Sequence, residues 1–246
     1  MQIPPGVPDL FLPIPIKQEL GSVMKKLAIQ ARNISKTYYA GTKKFKALNE
    51  VSIEVRSGEF VMITGRNGSG KSTLLHQLAL LDSPDVGEIR IQGEITSHLP
   101  ESRRMGLRLS RLGYIFQEYA LIAELTALEN VMLPAMMLGS SGLAKRKATD
   151  LLNKVGLEQK FSRLPSQLSG GEQQKVAIAR ALVNDPKIIF ADEPTANLDT
   201  VASKDILSIF KFLNEKEGIT ILMVTHEPEE LSYASRKINL VDGRVV

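Results

Sequence analysis

The sequence predicts an α/β fold with a parallel core sheet, an antiparallel β side-sheet and an inserted helical lobe. Three observations predict it. Ile188-Ile189-Phe190-Ala191 and Ile219-Thr220-Ile221-Leu222-Met223-Val224 are nearly continuous apolar runs, the pattern of strands buried on both faces in a parallel sheet. Leu27, Ile29 and Ala31, then Val51, Ile53 and Val55, then Ile89 and Ile91 alternate with polar neighbours, as antiparallel strands with one wet face do. Between about residues 118 and 168 the strand signal vanishes and helical spacing replaces it.

Taken in order, the chain opens on a segment that stands apart. Residues 1–23 hold Pro4, Pro5, Pro8, Pro13 and Pro15 among scattered apolar residues. The prolines forbid a helical signal core, and no basic segment precedes one. The expectation is a disordered or loosely docked extension, or translation from Met24, with the folded domain over 24–246. The chain has 246 residues, enough for one large α/β domain with a lobe. Hydrophobic residues make up 43% and charged ones 24%, which supports a substantial core. A net charge of +4 suits work near phosphates or an anionic membrane face and gives little support to nucleic-acid binding, so no nucleic-acid partner is expected. The absence of cysteine removes disulfides, thiolate chemistry and Cys-ligated zinc, and suits a reducing compartment. No run approaches the roughly 18 apolar residues of a membrane span.

The core starts with Glu59-Phe60-Val61-Met62-Ile63-Thr64, a short apolar, β-branched strand. Gly65-Arg66-Asn67-Gly68-Ser69-Gly70-Lys71-Ser72-Thr73 follows, and Leu74 to Leu81 reads as a helix. Strand, glycine loop and helix form a P-loop in its required context. Glycines let successive N–H groups point at phosphate oxygens, and the helix N-terminus adds its positive dipole end. Lys71 is placed to reach the β- and γ-phosphates and the Ser72 hydroxyl to ligate Mg²⁺. Arg103, Arg104, Arg108 and Arg111 then form a basic run on a predicted helix, read as a solvated face.

In the lobe, Leu121 to Leu138 and Gly142 to Val155 read as helices, and Met132, Met136 and Met137 as core filler, with a soft partner-binding face as the alternative. Leu168-Ser169-Gly170-Gly171-Glu172-Gln173 precedes a helical run. Ser169 and Glu172 have capping-box spacing, while two adjacent glycines suit a helix start that must approach an anion closely. Asp192 and Glu193 end the apolar strand that begins at Ile188. An acid at a parallel strand tip beside a P-loop is placed to hold Mg²⁺, which fits Asp192. Glu193 is then placed to polarise an attacking water.

Gly65 to Thr73, Leu168 to Gln173 and Ile188 to Glu193, in this order and spacing, resemble the ATP-binding-cassette (ABC) ATPases over about Leu27 to Val246. The resemblance implies a P-loop NTPase of ABC type that hydrolyses ATP with Mg²⁺. It implies a head-to-tail homodimer holding two ATP molecules, each between one subunit's P-loop and the other's Ser169-Gly170-Gly171-Glu172. Tyr38 looks like the aromatic that stacks on adenine, with Tyr39 leaving the register open. Gln117 looks like the glutamine joining the Mg²⁺ site to the lobe, Asp199 like the dimer-crossing aspartate, and His226 like the histidine contacting γ-phosphate. His76 and His98 match nothing.

Local strings around Tyr38, Gln117, Leu125 to Val131 and Asp192 to Asp199 are similar to the branch with lipoprotein-releasing, macrolide-export and cell-division ATPases. Ala196, Lys175 and Asn67 depart from the usual glycine, arginine and serine, which bears on subfamily rather than on activity. The resemblance thus implies an ATPase subunit on the cytoplasmic face of the inner membrane, docked on separate integral membrane permease subunits and powering export or lipoprotein release. The alternatives are a cell-division-type ATPase that signals across the membrane without transporting a substrate, and a soluble ABC ATPase of DNA repair or translation. Members of the latter group carry two cassettes or a long coiled-coil insertion, and neither is present here.

Overall fold

A computed structural model describes residues 26–139 and 141–246; the expectations for residues 1–23 lie outside them. In chain order, β1 (Leu27–Ala40), β2 (Lys43–Arg56) and β3 (Phe60–Thr64) precede helix α1 (Lys71–Leu78). Then come β4 (Val86–Ile91), β5 (Glu94–Ile95), α2 (Glu101–Arg111) and β6 (Leu112–Ile115). The lobe contributes α3 (Ala127–Met137) and α4 (Ser141–Lys154), and α5 (Gly170–Leu182) follows it. The chain closes with β7 (Ile188–Asp192), α6 (Thr200–Glu215), β8 (Thr220–Val224), a 3-10 turn Pro228–Tyr233, β9 (Arg236–Val241) and β10 (Arg244–Val245).

Two sheets form, as the two strand patterns require. The antiparallel sheet has the order β2-β1-β4-β5, and the second sheet the order β10-β9-β3-β8-β7-β6. In the second, β9, β3, β8, β7 and β6 run parallel and only β10 is antiparallel. Ile188–Asp192 and Thr220–Val224 are buried at every residue, as continuous apolar strands covered on both faces must be. Ile29, Val51, Val55 and Ile89 from the antiparallel sheet share one core with Val61, Ile63, Phe190 and Val224 and with Leu74, Leu75 and Leu78 of α1. The opposite face of the parallel sheet, through Met62, Ile189, Ile221 and Met223, packs on Ile178 of α5 and Ile206 and Phe210 of α6. Because β3, β8 and β7 are adjacent and parallel, their C-terminal ends open on one edge, where α/β sheets bind ligands.

A third core joins α3 and α4 through Val131, Ala135, Ala144, Ala148 and Leu152, and reaches past residue 168 to Val176, Ala179 and Val183 at and beyond α5. α5 therefore packs on both the lobe and the sheet. Helix α3 starts at Ala127, not at Leu121. Asn130 holds the preceding segment open: its Oδ1 accepts from Ile122 N at 2.8 Å, and its Nδ2 donates to the carbonyls of Ile122, Leu125 and Thr126. Those bonds satisfy the backbone that a longer helix would otherwise pair. Likewise α1 ends at Leu78 rather than Leu81, since Leu80 has a left-handed φ of 61°.

Two side-chain expectations also need correction. The arginines of α2 do not form a simple solvated face. Arg104 Nη2 and Arg108 Nη1 each donate to Leu80 O at 2.8 Å, closing the carbonyl end beyond α1, and Arg103 and Arg111 pair with Glu94. Met132 does pack on the lobe core, but Met136 and Met137 lie exposed at 47% and 58% and join no core of the described residues.

Candidate nucleotide site

The loop Gly65–Thr73 leaves β3 and enters α1. Gly65, Gly68 and Gly70 take φ values of 146°, 77° and 101°, conformations that glycine adopts without strain. A Cβ on Gly65 would collide with Leu240 O, and one on Gly70 with Ala47 O. Gly70 is the N-cap of α1 and supplies no side-chain cap, so the first N–H groups of the helix are free for an anion. Ser69 Oγ is buried without a hydrogen-bond partner among the described residues. Lys71 is buried at 5% exposure, and its Nζ donates to Gly65 O at 3.0 Å and Arg66 O at 3.3 Å.

The tips of β7 and β8 meet this loop. Ser72 Oγ donates to Asp192 Oδ1 at 3.1 Å. Glu193 follows with a left-handed φ of 44°, and its N–H donates to Val224 O at 3.1 Å, which pins the strand ends together. His226 lies between two carboxylates, with Nδ1 3.3 Å from Glu193 Oε2 and Nε2 3.0 Å from Glu227 Oε1. Lys71, Ser72, Thr73, Gln117 and Glu193 line one cavity of about 370 Å³ together with Phe45. His226 and Gly65 to Ser69, hence Arg66 and Asn67, line a neighbouring one of about 790 Å³.

Burial pushes the Asp192 carboxyl up from its ordinary value, while the Ser72 hydroxyl and the charges of His76 and Lys71 oppose that rise. Ser72 and Asp192 offer the hard oxygen donors that suit Mg²⁺, which keeps several waters and takes few protein ligands. Among the described residues no group of three His, Cys, Asp or Glu side chains is placed to hold a metal alone. On the antiparallel sheet, Tyr38 faces Phe45 across β1 and β2. Its hydroxyl donates to Asp82 at 3.0 Å, and Lys36 Nζ stands 5.5 Å from its ring centre. Tyr39 is more exposed, at 72%, and makes no such contacts among the described residues.

The remaining expected residues lie apart. Ser169 caps α5: its Oγ accepts from Glu172 N at 3.3 Å and its N–H donates to Glu172 Oε2 at 2.9 Å. That backbone bond, with Lys160 beside it, holds the Glu172 carboxyl below its usual range. Gly170 and Gly171 are closely approached, since a Cβ would come 2.8 Å from Tyr119 Oη and 3.0 Å from Ala202 Cβ respectively. Asp199 caps α6, accepting from Val201 N at 2.9 Å and Ala202 N at 2.8 Å. None of these five residues lines either P-loop cavity.

Three residues near the site escape a reading of motifs. His76 Nε2 lies 3.8 Å from Asp192 Oδ2, and the Tyr114 ring lies 5.9 Å from the His76 ring. Burial, and then Asp192, push the Tyr114 phenol up, and its hydroxyl is buried without a hydrogen-bond partner among the described residues. Phe45 reaches the P-loop cavity only through the pairing of β1 and β2. Each is brought in by packing between distant elements, which no local pattern signals.

The ABC transporter family matches residues 48–196. An uncharacterized ABC transporter ATP-binding protein of Methanocaldococcus jannaschii is 52% identical over 219 residues, 89% of this chain and 97% of that protein. The lipoprotein-releasing system ATP-binding protein LolD of Aquifex aeolicus is 46% identical, over 89% of this chain and 96% of LolD. The macrolide export ATP-binding/permease protein MacB of Chlorobium luteolum is 49% identical over 87% of this chain, which spans only 32% of MacB. Among solved structures, the dimeric ATP-binding cassette MJ0796 bound to ADP and Pi is similar with a TM-score of 0.82 and 40% identity, over 88% of this chain and 96% of that one.

Proposed function

The chain belongs to the ABC transporter family as an ATP-binding, ATP-hydrolysing subunit of a transport system, and on that premise we propose how its residues divide the work. Lys71 and the N–H groups of Gly65 to Thr73 hold the phosphates. Tyr38, steadied by Asp82, stacks on adenine. Ser72, Asp192 and Gln117 hold Mg²⁺, which neutralises phosphate charge when bound. Glu193 orients and polarises the attacking water, and His226 steadies the γ-phosphate side. In phosphoryl transfer such positioning and charge stabilisation supply most of the catalysis. Ser169, Gly170, Gly171, Glu172 and Asp199 serve the P-loop of a second copy, in a head-to-tail dimer around two ATP. The observation that carries the reading is the meeting of Ser72 with Asp192 and of Glu193 with His226 at the open start of α1.

The subunit docks on separate integral membrane permease subunits, from the cytoplasmic face of the inner membrane, in an export or lipoprotein-release system. No described helix is long and apolar enough to cross a membrane. The names of LolD and MacB support the system type. A groove between α2, α3 and the Gln117 segment, lined by Leu81, Met105, Phe116, Pro134 and Met137, supports docking of a membrane-subunit helix beside the site.

Light scattering tests the central claim. Glu193→Gln keeps size and removes charge, so single-turnover hydrolysis is expected to fall by about 10²- to 10⁴-fold while ATP still binds. With hydrolysis blocked, ATP should convert the protein from monomer to a lasting dimer, and ADP should not. Hydrolysis near the parental rate, or a monomer at saturating ATP, overturns the assignment.

A further inference from the structure

Glu230 is a buried carboxyl that the proposed chemistry does not use. It sits in the 3-10 turn Pro228–Tyr233 and is 5% exposed. Its two oxygens are spent on two different loops. Thr195 Oγ1 donates to Glu230 Oε1 at 2.6 Å, and Thr225 Oγ1 donates to Glu230 Oε2 at 2.6 Å. Both threonines are themselves buried, at 5% and 2% exposure. Thr195 lies two residues after Glu193, in the turn closed by Ala196 N donating to Glu193 O at 3.2 Å. Thr225 immediately precedes His226, and its Oγ1 also accepts from Glu227 N at 3.0 Å.

One carboxyl therefore ties the tail of β7 to the tail of β8. Those two tails carry Glu193 and His226, whose side chains stand 3.3 Å apart. A simpler core would place an apolar side chain here, because a buried carboxyl is costly unless fully hydrogen-bonded. Each oxygen here has one short bond, and no other described side chain bonds to both threonines.

We propose that Glu230 is a positioning residue: by clasping Thr195 and Thr225 it fixes the spacing of Glu193 and His226 for hydrolysis. This rests on the proposed roles of those two residues. Neither Glu230 nor the two threonine hydroxyls bonds to a P-loop residue, so nucleotide affinity is expected to depend on the clasp less than the rate does. A shift of about 1 Å in a reacting group costs on the order of 10²-fold in rate, so loss of the clasp appears in chemistry before binding.

The test measures single-turnover hydrolysis, ATP affinity by calorimetry and melting temperature for Glu230→Met, Thr195→Val and Thr225→Val. Each removes one or both donor–acceptor pairs at nearly constant volume. Hydrolysis is expected to fall about 10- to 100-fold, with ATP affinity within about twofold of the parent by the same argument. Thr225→Ser, which keeps the donor, is expected to hydrolyse faster than Thr225→Val. The double variant Thr195→Val/Thr225→Val should lose less than the product of the two single losses, because the residues act through one carboxyl. Equal losses in affinity and rate, or Thr225→Ser no faster than Thr225→Val, overturn the proposal in favour of plain core packing. Unchanged hydrolysis in Glu230→Met overturns it outright. Failure of the underlying reading shows separately, as a Glu193→Gln variant that hydrolyses ATP normally.

Discussion

The chain has two glycine-rich helix starts, and they are finished in opposite ways. At α1, Gly65, Gly68 and Gly70 have positive φ, no side chain caps the helix, and the buried Lys71 bends back onto loop carbonyls. At α5, the glycines have ordinary backbone angles, and Ser169 and Glu172 close a full capping box. The first start is left open and lined with a cation. The second is satisfied locally, carries an acid, and lines neither cavity of the first. An open N-terminus is ready for phosphate within its own chain; a closed, exposed one meets phosphate only if another molecule brings it. That contrast is what the proposed head-to-tail dimer explains.

The largest effect should come from the open start. Lys71→Ala removes a charged donor from the phosphates in ground state and transition state alike. A hydrogen bond to a charged group is worth about 1.5–3 kcal/mol, or roughly 10- to 150-fold in Kd, and turnover should fall to background. Calorimetric titration with ATP checks it. Unchanged affinity would show that Lys71 stays on Gly65 O and Arg66 O when nucleotide binds.

The closed start should give a smaller and different loss. Ser169→Ala deletes one cap contact, at 3.3 Å, so stability should drop by about 0.5–1 kcal/mol, the low end for a cap. ATP affinity of the monomer should not change, while dimer-dependent turnover should fall about 10- to 100-fold as a phosphate donor is lost. Mixing sharpens the comparison. In a head-to-tail dimer of Lys71→Ala with Ser169→Ala, one site carries both lesions and the other carries neither. The mixture should therefore turn over ATP faster than either variant alone. No gain on mixing would place both residues in the same site of one chain and break the contrast.

Reading by local pattern reaches the parts of this site that a local pattern builds. A strand, a glycine loop and a helix are contiguous, so Lys71 and Ser72 were placed from sequence, and the acids at a buried strand tip placed Asp192 and Glu193. The two sheets followed from alternation against continuity. What the pattern missed is made by packing across the chain. Leu121 to Leu125 are apolar enough for a helix, yet the single side chain of Asn130 satisfies their backbone. Arg104 and Arg108 read as surface charges, yet the Leu80 carbonyl draws them in. Glu230 reads as one acid among Glu227 and Glu229, and only the fold brings Thr195 to it. Met136 and Met137 fit a helix core by spacing, but their outward positions depend on how α3 lies against α4 and α5.

The smallest predicted effect separates base from phosphate within the open site. Asp82 accepts from Lys36 Nζ at 2.9 Å, Tyr38 Oη at 3.0 Å, Gln77 Nε2 at 3.0 Å and its neighbour Ser83 N at 2.7 Å. Burial alone would raise its carboxyl, but the hydrogen bonds from Lys36, Ser83 and Tyr38 win and hold it below the ordinary 3.8. A carboxyl lowered by folding adds stability that is complete above its unfolded value and is lost as pH falls through the folded one. Asp82→Asn should thus lower stability at pH 7 by roughly 1 kcal/mol, a modest figure because the pair is partly exposed. The gap in melting temperature between parent and variant should narrow as pH drops below 3.8. With the charge that anchors Tyr38 removed, ATP affinity should fall a few-fold, since stacking on an aromatic is worth about 1–3 kcal/mol per base and only part of it is lost. Affinity for inorganic tripolyphosphate, which has no base, should hold. If ATP and tripolyphosphate weaken together, Asp82 supports the P-loop through Gln77 and α1 rather than the base through Tyr38. A melting gap that persists unchanged in acid would show that the carboxylate charge is not what Lys36 and Tyr38 require.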